Sequence, residues 1–514
     1  MKKFFKNSKL VIVLASCILS ILGNLSLFII AKNEDPKGTD FDSFVAKYDS
    51  DSEGTQAELP ETGEGDLNDI NKGILLTKPG VVQIFNRSCA KLNIEYDPDV
   101  PNLSGKSYNL CSLSIGTGFF VNKEGIMATN AHVACPNETD LIVDAIMYGY
   151  DKDGFYKNFL DDSGTYYSNR DYSETDWKSE LYSNYYYLDE GITGMILLGI
   201  EDGVISISDV TYENYIQTDN LFEYDTENYS LINKEENIET EVVDYREIDS
   251  YYEISYKLVG GQRSGIKKPD LALIKIVDSD LYKYPVLELA NPNNISTGQS
   301  INVIGFPGAA MNETIFSKDS SNIPTITKGT ISAIKDSYVK NFKILQIDAS
   351  ISFGNSGGPI INNEGNVLGI ATYGLDYGGS GDFNAGVSVE ELLNLMADNG
   401  ISNESGEVMR LILSGIDNIE SNYFKWAIQD FNEAIEITPS LKEDLYSLIV
   451  IAEKKIAEGE DNTPLFKIGG INIHRSEMVL FCIGSVIMVT GIVLFVVFII
   501  ILIIARARKK KKRK

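Results

Sequence analysis

Gly354-Asn355-Ser356-Gly357-Gly358-Pro359 is the stretch that most constrains this chain. Three glycines around one serine make a poor helix and a poor strand, and the closing proline stops either. Such a sequence holds a hydroxyl at the tip of a tight turn, with bare backbone N–H groups beside it. That suits a nucleophile next to an oxyanion hole. The surrounding residues 270–400 are short apolar runs punctuated by glycine turns: Leu271–Ile276, Ser300–Gly305, Gly329–Ile334, Ile344–Ile347 and Val367–Thr372. Strands at this spacing predict a barrel or a sandwich. Ser388-Val389-Glu390-Glu391 then opens a helix as a capping box, and Gly400 ends it.

A serine alcohol needs a base to take its proton and a third group to orient that base. The chain has 2 histidines. His474 borders an apolar run near the C-terminus, so His132, just after the strand Ile126–Thr129, is the candidate base. Asp270 heads the apolar strand Asp270-Leu271-Ala272-Leu273-Ile274-Lys275-Ile276 and is the candidate orienting acid. Asp278 and Asp280 read as turn residues. No metal-ligand or cofactor pattern is present. Asp151-Lys152-Asp153-Gly154 invites a calcium-loop reading, but Gly149 and Leu160 occupy its first and last ligand positions, so it reads as a hairpin turn.

The segment 74–135 is strand-like, with Val81–Phe85, Gly116–Val121 and a turn at Asn122-Lys123-Glu124-Gly125. Cys89 and Cys111 bracket one loop between strands and are either paired or free buried thiols; Cys135 is the odd one left in the soluble part. Residues 141–266 are acidic and hold 18 of the 28 tyrosines. Strands are expected inside them at Ile196–Ile200 and Gly203–Ile207. The tyrosines pack half-buried strands or form a partner-binding surface.

Taken in order, Gly116-Thr117-Gly118-Phe119-Phe120, Thr129-Asn130-Ala131-His132-Val133, Asp270 to Lys275, Gly305-Phe306-Pro307 and Gln346 to Pro359 resemble the trypsin-fold serine proteases of the HtrA/Deg type. The resemblance implies a mainly β fold over residues 74–400, two six-stranded barrels with a cleft between them. It implies His132 as general base, Asp270 as its orienting partner and Ser356 as nucleophile, with the N–H groups of Gly354 and Ser356 as the oxyanion hole. Ser350 would floor the substrate pocket, and Ala371, Thr372, Tyr373 and Gly374 would line its wall. No charge lies there, which implies small or medium apolar residues before the scissile bond. Asn355 stands where zymogen-activated relatives carry Asp, so activation by a new N-terminus is not expected. The long gap between His132 and Asp270 makes 141–266 look like a large insertion or an enlarged barrel edge. Residues 407–472 are too few and too helical for the PDZ domain usual in that family.

The ends of the chain read differently. Leu10–Ala31 and Met478–Ala505 are apolar runs of 22 and 28 residues, each long enough to cross a bilayer. Leu14-Ala15-Ser16-Cys17 resembles a lipoprotein box, but the chain stays apolar well beyond it. Basic residues lie on the terminal side of both runs, including the tail 506–514, so both ends are expected in the cytoplasm and the remainder outside. The net charge is -28, and the two basic ends contribute +12, leaving -40 between them. That repels nucleic acid. Residues 33–72, after the 1–32 anchor, read as an acidic flexible stalk; Leu59-Pro60-Glu61-Thr62-Gly63 looks like a sortase pentapeptide but sits far from a C-terminal span. In 407–460, Gly415, Ala427, Phe431, Ala434 and Pro439 are spaced as in one tetratricopeptide repeat. The expected activity is hydrolysis of protein or peptide substrates outside the membrane. The alternative is a non-catalytic adaptor binding partners through 141–266 or 407–460.

Overall fold

The computed structural model describes residues 72–506 apart from 97–100, 150–151, 164–190, 218–223, 226–229, 247, 260–263, 278–283, 308–322, 376–382, 465, 469–470, 474–487 and 504. Twelve of its strands close two six-stranded barrels. The first contains β1 (Val81–Ile94), β2 (Ser107–Asn122), β3 (Ile126–Thr129), β4 (Ile205–Ile216), β5 (Ile238–Tyr245) and β6 (Ala272–Ile276). The second contains β7 (Ser300–Gly305), β8 (Thr325–Asp336), β9 (Lys343–Ile347), β10 (Pro359–Ile361), β11 (Val367–Leu375) and β12 (Phe383–Ser388). Around the first barrel the order is β1-β2-β3-β6-β5-β4, and the second repeats it as β7-β8-β9-β12-β11-β10. Each barrel has its own apolar interior, Ile84, Met127 and Ile274 in the first and Val303, Leu345 and Ile360 in the second. A third core spans both. Phe119, Val121 and Leu273 of the first barrel pack with Ile304, Ile370 and Val387 of the second. Burying these faces together fixes the barrels as one unit.

The helices are α1 (Lys72–Thr77), α2 (Ala131–Ala134), α3 (Glu138–Tyr148), α4 (Lys152–Ser163), α5 (residues 191–201), α6 (Tyr251–Val259), α7 (Val389–Asp398), α8 (Glu407–Glu420), α9 (Phe424–Ile437) and α10 (Lys442–Ala457). Ser388 caps α7 by accepting from the Glu390 N–H, as its sequence predicts. In α8–α10, Leu76 of α1 joins a core with Ile412, Phe431 and Leu445. A Cβ on Gly415 would sit 2.4 Å from the Phe431 ring, so the small residue is what lets α8 and α9 close up.

Of the two readings of residues 141–266, the enlarged barrel edge is the one the structure bears out, because β4 and β5 lie inside them and complete the first barrel. Ile196–Ile200 is helical, in α5, not a strand: Ile192 and Ile196, one helical turn apart, are buried while Leu198 is 45% exposed. Asp151-Lys152-Asp153-Gly154 is not a hairpin turn but leads into α4, which buries Phe155, Tyr156 and Phe159. These helices cover the ends of β1 and β2, where Leu92, Ile94 and Leu110 form a separate core with Leu141, Ile146, Phe159 and Ile196. In that hairpin Cys89 and Cys111 stand opposite in register and form a disulfide, while Cys135 is a free buried thiol.

Among the described residues no helix is long and apolar enough to cross a membrane. Residues 488–503, within the second apolar run, are helical. Leu10–Ala31, Cys17, the 33–71 part of the acidic stalk, His474, Cys482 and nearly all of the basic tail lie outside the described residues.

Candidate active site

β3 ends at Thr129, and the chain turns through Asn130 into the single turn of α2, which carries His132. Asp270 lies just before β6, the neighbour of β3. This adjacency brings the two residues together across 138 positions of sequence. His132 Nδ1 lies 2.5 Å from Asp270 Oδ2, and the His132 backbone N–H donates to Asp270 Oδ1 at 3.1 Å. Asp270 is 7% exposed. Its own carbonyl accepts from the Asn130 side-chain amide at 2.7 Å, which also donates to Thr372 Oγ1 at 2.9 Å. The carboxylate is thus held on both sides, and it presents an acceptor to one imidazole nitrogen while the other stays available.

Burial works against charge on the His132 ring. The Asp270 carboxylate outweighs it through its charge and its hydrogen bond, with Asp144 and Asp140 adding to the effect, so the ring titrates above its ordinary 6.5. Cys135, nearby, is pushed up to about 12 by burial and by Asp270, which leaves it an inert thiol.

Ser356 sits in the loop between β9 and β10 of the second barrel. Thr117, in the middle of β2, fastens this loop to the first barrel. Its N–H donates to the Ser356 carbonyl at 2.8 Å, and its Oγ1 donates to the Gly354 carbonyl at 2.6 Å while accepting from the Phe306 N–H at 3.1 Å. The Thr117 carbonyl in turn accepts from Thr129 Oγ1 at 2.7 Å. Gly357 has φ +87°, and a Cβ there would fall 2.0 Å from the Thr117 carbonyl oxygen and 2.3 Å from Thr129 Oγ1. Both its backbone conformation and its surroundings therefore require glycine. The contact also sets the residue after Ser356 against Asn130, two positions from His132.

Gly354 has φ +94°. Among the described residues neither its N–H nor that of Ser356 donates to another backbone group. Two free donors beside a partly exposed hydroxyl are what an oxyanion requires.

The expected substrate wall is placed differently from residue to residue. Ser350 is exposed, and its carbonyl accepts from Thr327 Oγ1 at 2.9 Å. The Ala371 side chain is fully buried in the second barrel, so only its backbone is left to face a ligand; that backbone pairs with Gly357 and Gly358. Thr372 is taken up by Asn130. Tyr373 and Gly374 continue β11, paired with Ala385 and Asn384. Sequence reasoning assigns no role to Thr117, Thr129 and Asn130, although Thr117 lies in Gly116–Phe120 and the other two in Thr129–Val133.

Residues 226–370 match the family described as a trypsin-like peptidase domain. Among curated proteins the chain is similar to serine protease HTRA1 of Xenopus tropicalis, with 24% identity over 40% of this chain and 46% of that one. It is similar to HTRA3 of Homo sapiens at 35% over 21% and 22%, and to the serine protease Do-like HtrA of Bacillus subtilis at 30% over 23% and 24%. The matched part spans less than half of each of these relatives. Among solved structures, the HtrA-type protease AlgW with a decapeptide aligns at 16% identity and a TM-score of 0.30, over 64% of this chain and 66% of that one. With the motifs in their order and two barrels of one topology, the chain is similar to the HtrA-type serine proteases, and its residues 226–370 match a trypsin-like peptidase domain.

Proposed function

We propose that the chain is a membrane-anchored serine endopeptidase that cleaves extracytoplasmic proteins. The observation that carries this is the His132–Asp270 pair held beside a Ser356 loop whose Gly354 and Ser356 N–H groups are free. Ser356 Oγ attacks the scissile carbonyl as His132 Nε2 takes its proton. Asp270 keeps the ring in the tautomer with Nδ1–H and stabilises the imidazolium. The carbonyl oxygen becomes an oxyanion against the Gly354 and Ser356 N–H groups, an arrangement whose single donors are worth about 3 kcal/mol in the transition state. Protonated His132 then gives its proton to the leaving amine, and water resolves the acyl-enzyme by the same steps in reverse order. With no charged side chain at Ser350 or along Ala371–Gly374, small or medium apolar residues are favoured before the cleaved bond.

Anchoring is supported by the apolar runs 10–31 and 478–505 with their basic outer flanks, by the exposed apolar surface of residues 488–503, and by the Cys89–Cys111 disulfide, which suits an oxidising medium. Both termini then lie in the cytoplasm. A fluorophosphonate should label the full-length chain, and Ser356→Ala should abolish the labelling. A folded wild-type chain that resists the reagent while a positive-control hydrolase reacts refutes the peptidase reading. Protease shaving of intact cells should remove residues 74–460 and spare the basic tail.

A further inference from the structure

The gap between His132 and Asp270 contributes more than two barrel strands. α3 begins six positions after His132, and α6 lies just ahead of the loop that leads into Asp270. Six contacts sew these two segments together, one of them from Thr139 Oγ1 to Glu253 Oε1 at 3.5 Å. Asp140 Oδ1 accepts from Ser250 Oγ at 2.5 Å and from the Tyr252 N–H at 3.4 Å, and its Oδ2 accepts from the Tyr251 N–H at 2.9 Å. Asp144 Oδ1 accepts from the Tyr252 hydroxyl at 2.6 Å, and the Asn137 amide donates to the Ile248 carbonyl at 3.3 Å. Asp140 therefore caps the N-terminus of α6 from another helix, supplying acceptors to N–H groups that have none within α6.

We propose that Asp140, with Asp144 and Tyr252, is a positioning clasp for the His132–Asp270 pair, tying the helix that follows the base to the segment that delivers the acid. Asp140 and Asp144 touch no reacting atom. They act by fixing the spacing of the two chain segments and by placing negative charge behind the imidazole. The inference rests on the peptidase reading for its catalytic consequence only; the clasp itself is a matter of geometry.

The titratable groups around Asp140 are Asp144 and Glu138 on α3, Tyr251, Tyr252 and Glu253 on α6, and the His132–Asp270 pair. Burial pushes Asp140 up to about 6, against the bonds from Ser250, Tyr251 and Tyr252. Asp144 is raised by burial too, against the Tyr252 hydroxyl and His132. The ionised carboxylates of Asp140 and Asp144 thus strengthen the hold of His132 on its proton, adding to Asp270.

The chain has 2 histidines, so the His132 ring can be followed directly by NMR in the full chain labelled at its histidines, with a His474→Gln variant assigning the pair. Asp140→Asn keeps an acceptor for α6 but removes the charge: the His132 midpoint should fall. Asp140→Ala also removes the acceptors: fluorophosphonate labelling of Ser356 should slow by about tenfold even at alkaline pH, where His132 is neutral. If Asp140→Ala does not fold, Tyr252→Phe, which deletes one hydroxyl, carries the rate measurement and should slow labelling several-fold. An unchanged His132 midpoint in Asp140→Asn, or a wild-type labelling rate in folded Asp140→Ala or Tyr252→Phe, overturns the clasp. A wild-type chain whose His132 titrates as described but whose Ser356 is not labelled overturns the peptidase reading and leaves the clasp supported by the titration.

Discussion

Thr117→Val is the substitution that tests most directly how the nucleophile loop is held. Thr117 is fully buried, and its hydroxyl serves the Gly354 carbonyl at 2.6 Å and the Phe306 N–H at 3.1 Å. Valine fills nearly the same space, so no cavity opens; what changes is that one buried acceptor and one buried donor lose their partner. Each orphaned group costs about 1–3 kcal/mol, giving a loss of about 2–6 kcal/mol for the pair. A domain of ordinary stability, about 5–15 kcal/mol, survives that at room temperature. The catalytic effect should be larger than the unfolded fraction explains, because the freed Gly354 peptide unit lies beside the N–H groups that meet the oxyanion, and a displacement of about 1 Å there costs about 100-fold. Thr117→Ser is the control. It keeps the hydroxyl and loses a methyl, for about 1 kcal/mol, and should label at close to the wild-type rate. The assay pairs urea unfolding with the rate of fluorophosphonate labelling, both in the full chain. If Thr117→Val unfolds within about 0.5 kcal/mol of wild type and labels as fast, the hydroxyl does not hold the loop and the account of the site is wrong.

Four further changes have defined outcomes. Gly357→Ala forces a Cβ to 2.0 Å from the Thr117 carbonyl, so the Ser356 loop should undock, with labelling lost and the chain destabilised in thermal unfolding. Activity should disappear as pH falls through the His132 midpoint, which lies above 6.5 because Asp270 outweighs burial; only the neutral ring accepts the Ser356 proton. Asp270→Asn should move that midpoint down and lower the rate about 10⁴-fold, and a pH–rate profile reads both. Replacing Cys89 and Cys111 together by serine removes a cross-link between residues 22 apart, which should cost about 3 kcal/mol in urea unfolding, with no loss in a reductant-treated comparison.

The placement of His132, Asp270 and Ser356 was legible because such candidates are few and sit where strands end. One serine lay in a glycine turn, one histidine was left for the folded part, and one aspartate headed an apolar strand. The second barrel was legible for a related reason: its strands are short, apolar and cut by glycine, and Ser300–Gly305 falls on its predicted bounds. The residues that hold the site were not legible. Thr117, Thr129 and Asn130 are ordinary residue types, and nothing in their neighbours announces a partner 237 positions away, as Gly354 is for Thr117. Only strand register shows that β2 and the Ser356 loop meet.

The helices of residues 141–266 were missed, and the segment looked like an insertion, for two physical reasons. A five-residue apolar run such as Ile196–Ile200 suits a buried strand and a buried helix equally, and flanking residues decide between them. Ile192, one turn earlier, was the deciding residue, since it places α5 on the β1–β2 hairpin with Ile196. The second reason is the arithmetic of the gap. A segment this long between base and acid looks detachable, yet β5 pairs with both β4 and β6. Cutting the segment out would open the barrel that carries His132 and Asp270. α3 precedes β4 and α6 lies between β5 and β6, so both helices are built on the barrel that carries the His132–Asp270 pair. A lid that swings away would need a hinge with few contacts; here Asp140 and Asp144 join the two sides of the gap by hydrogen bonds to Ser250, Tyr251 and Tyr252.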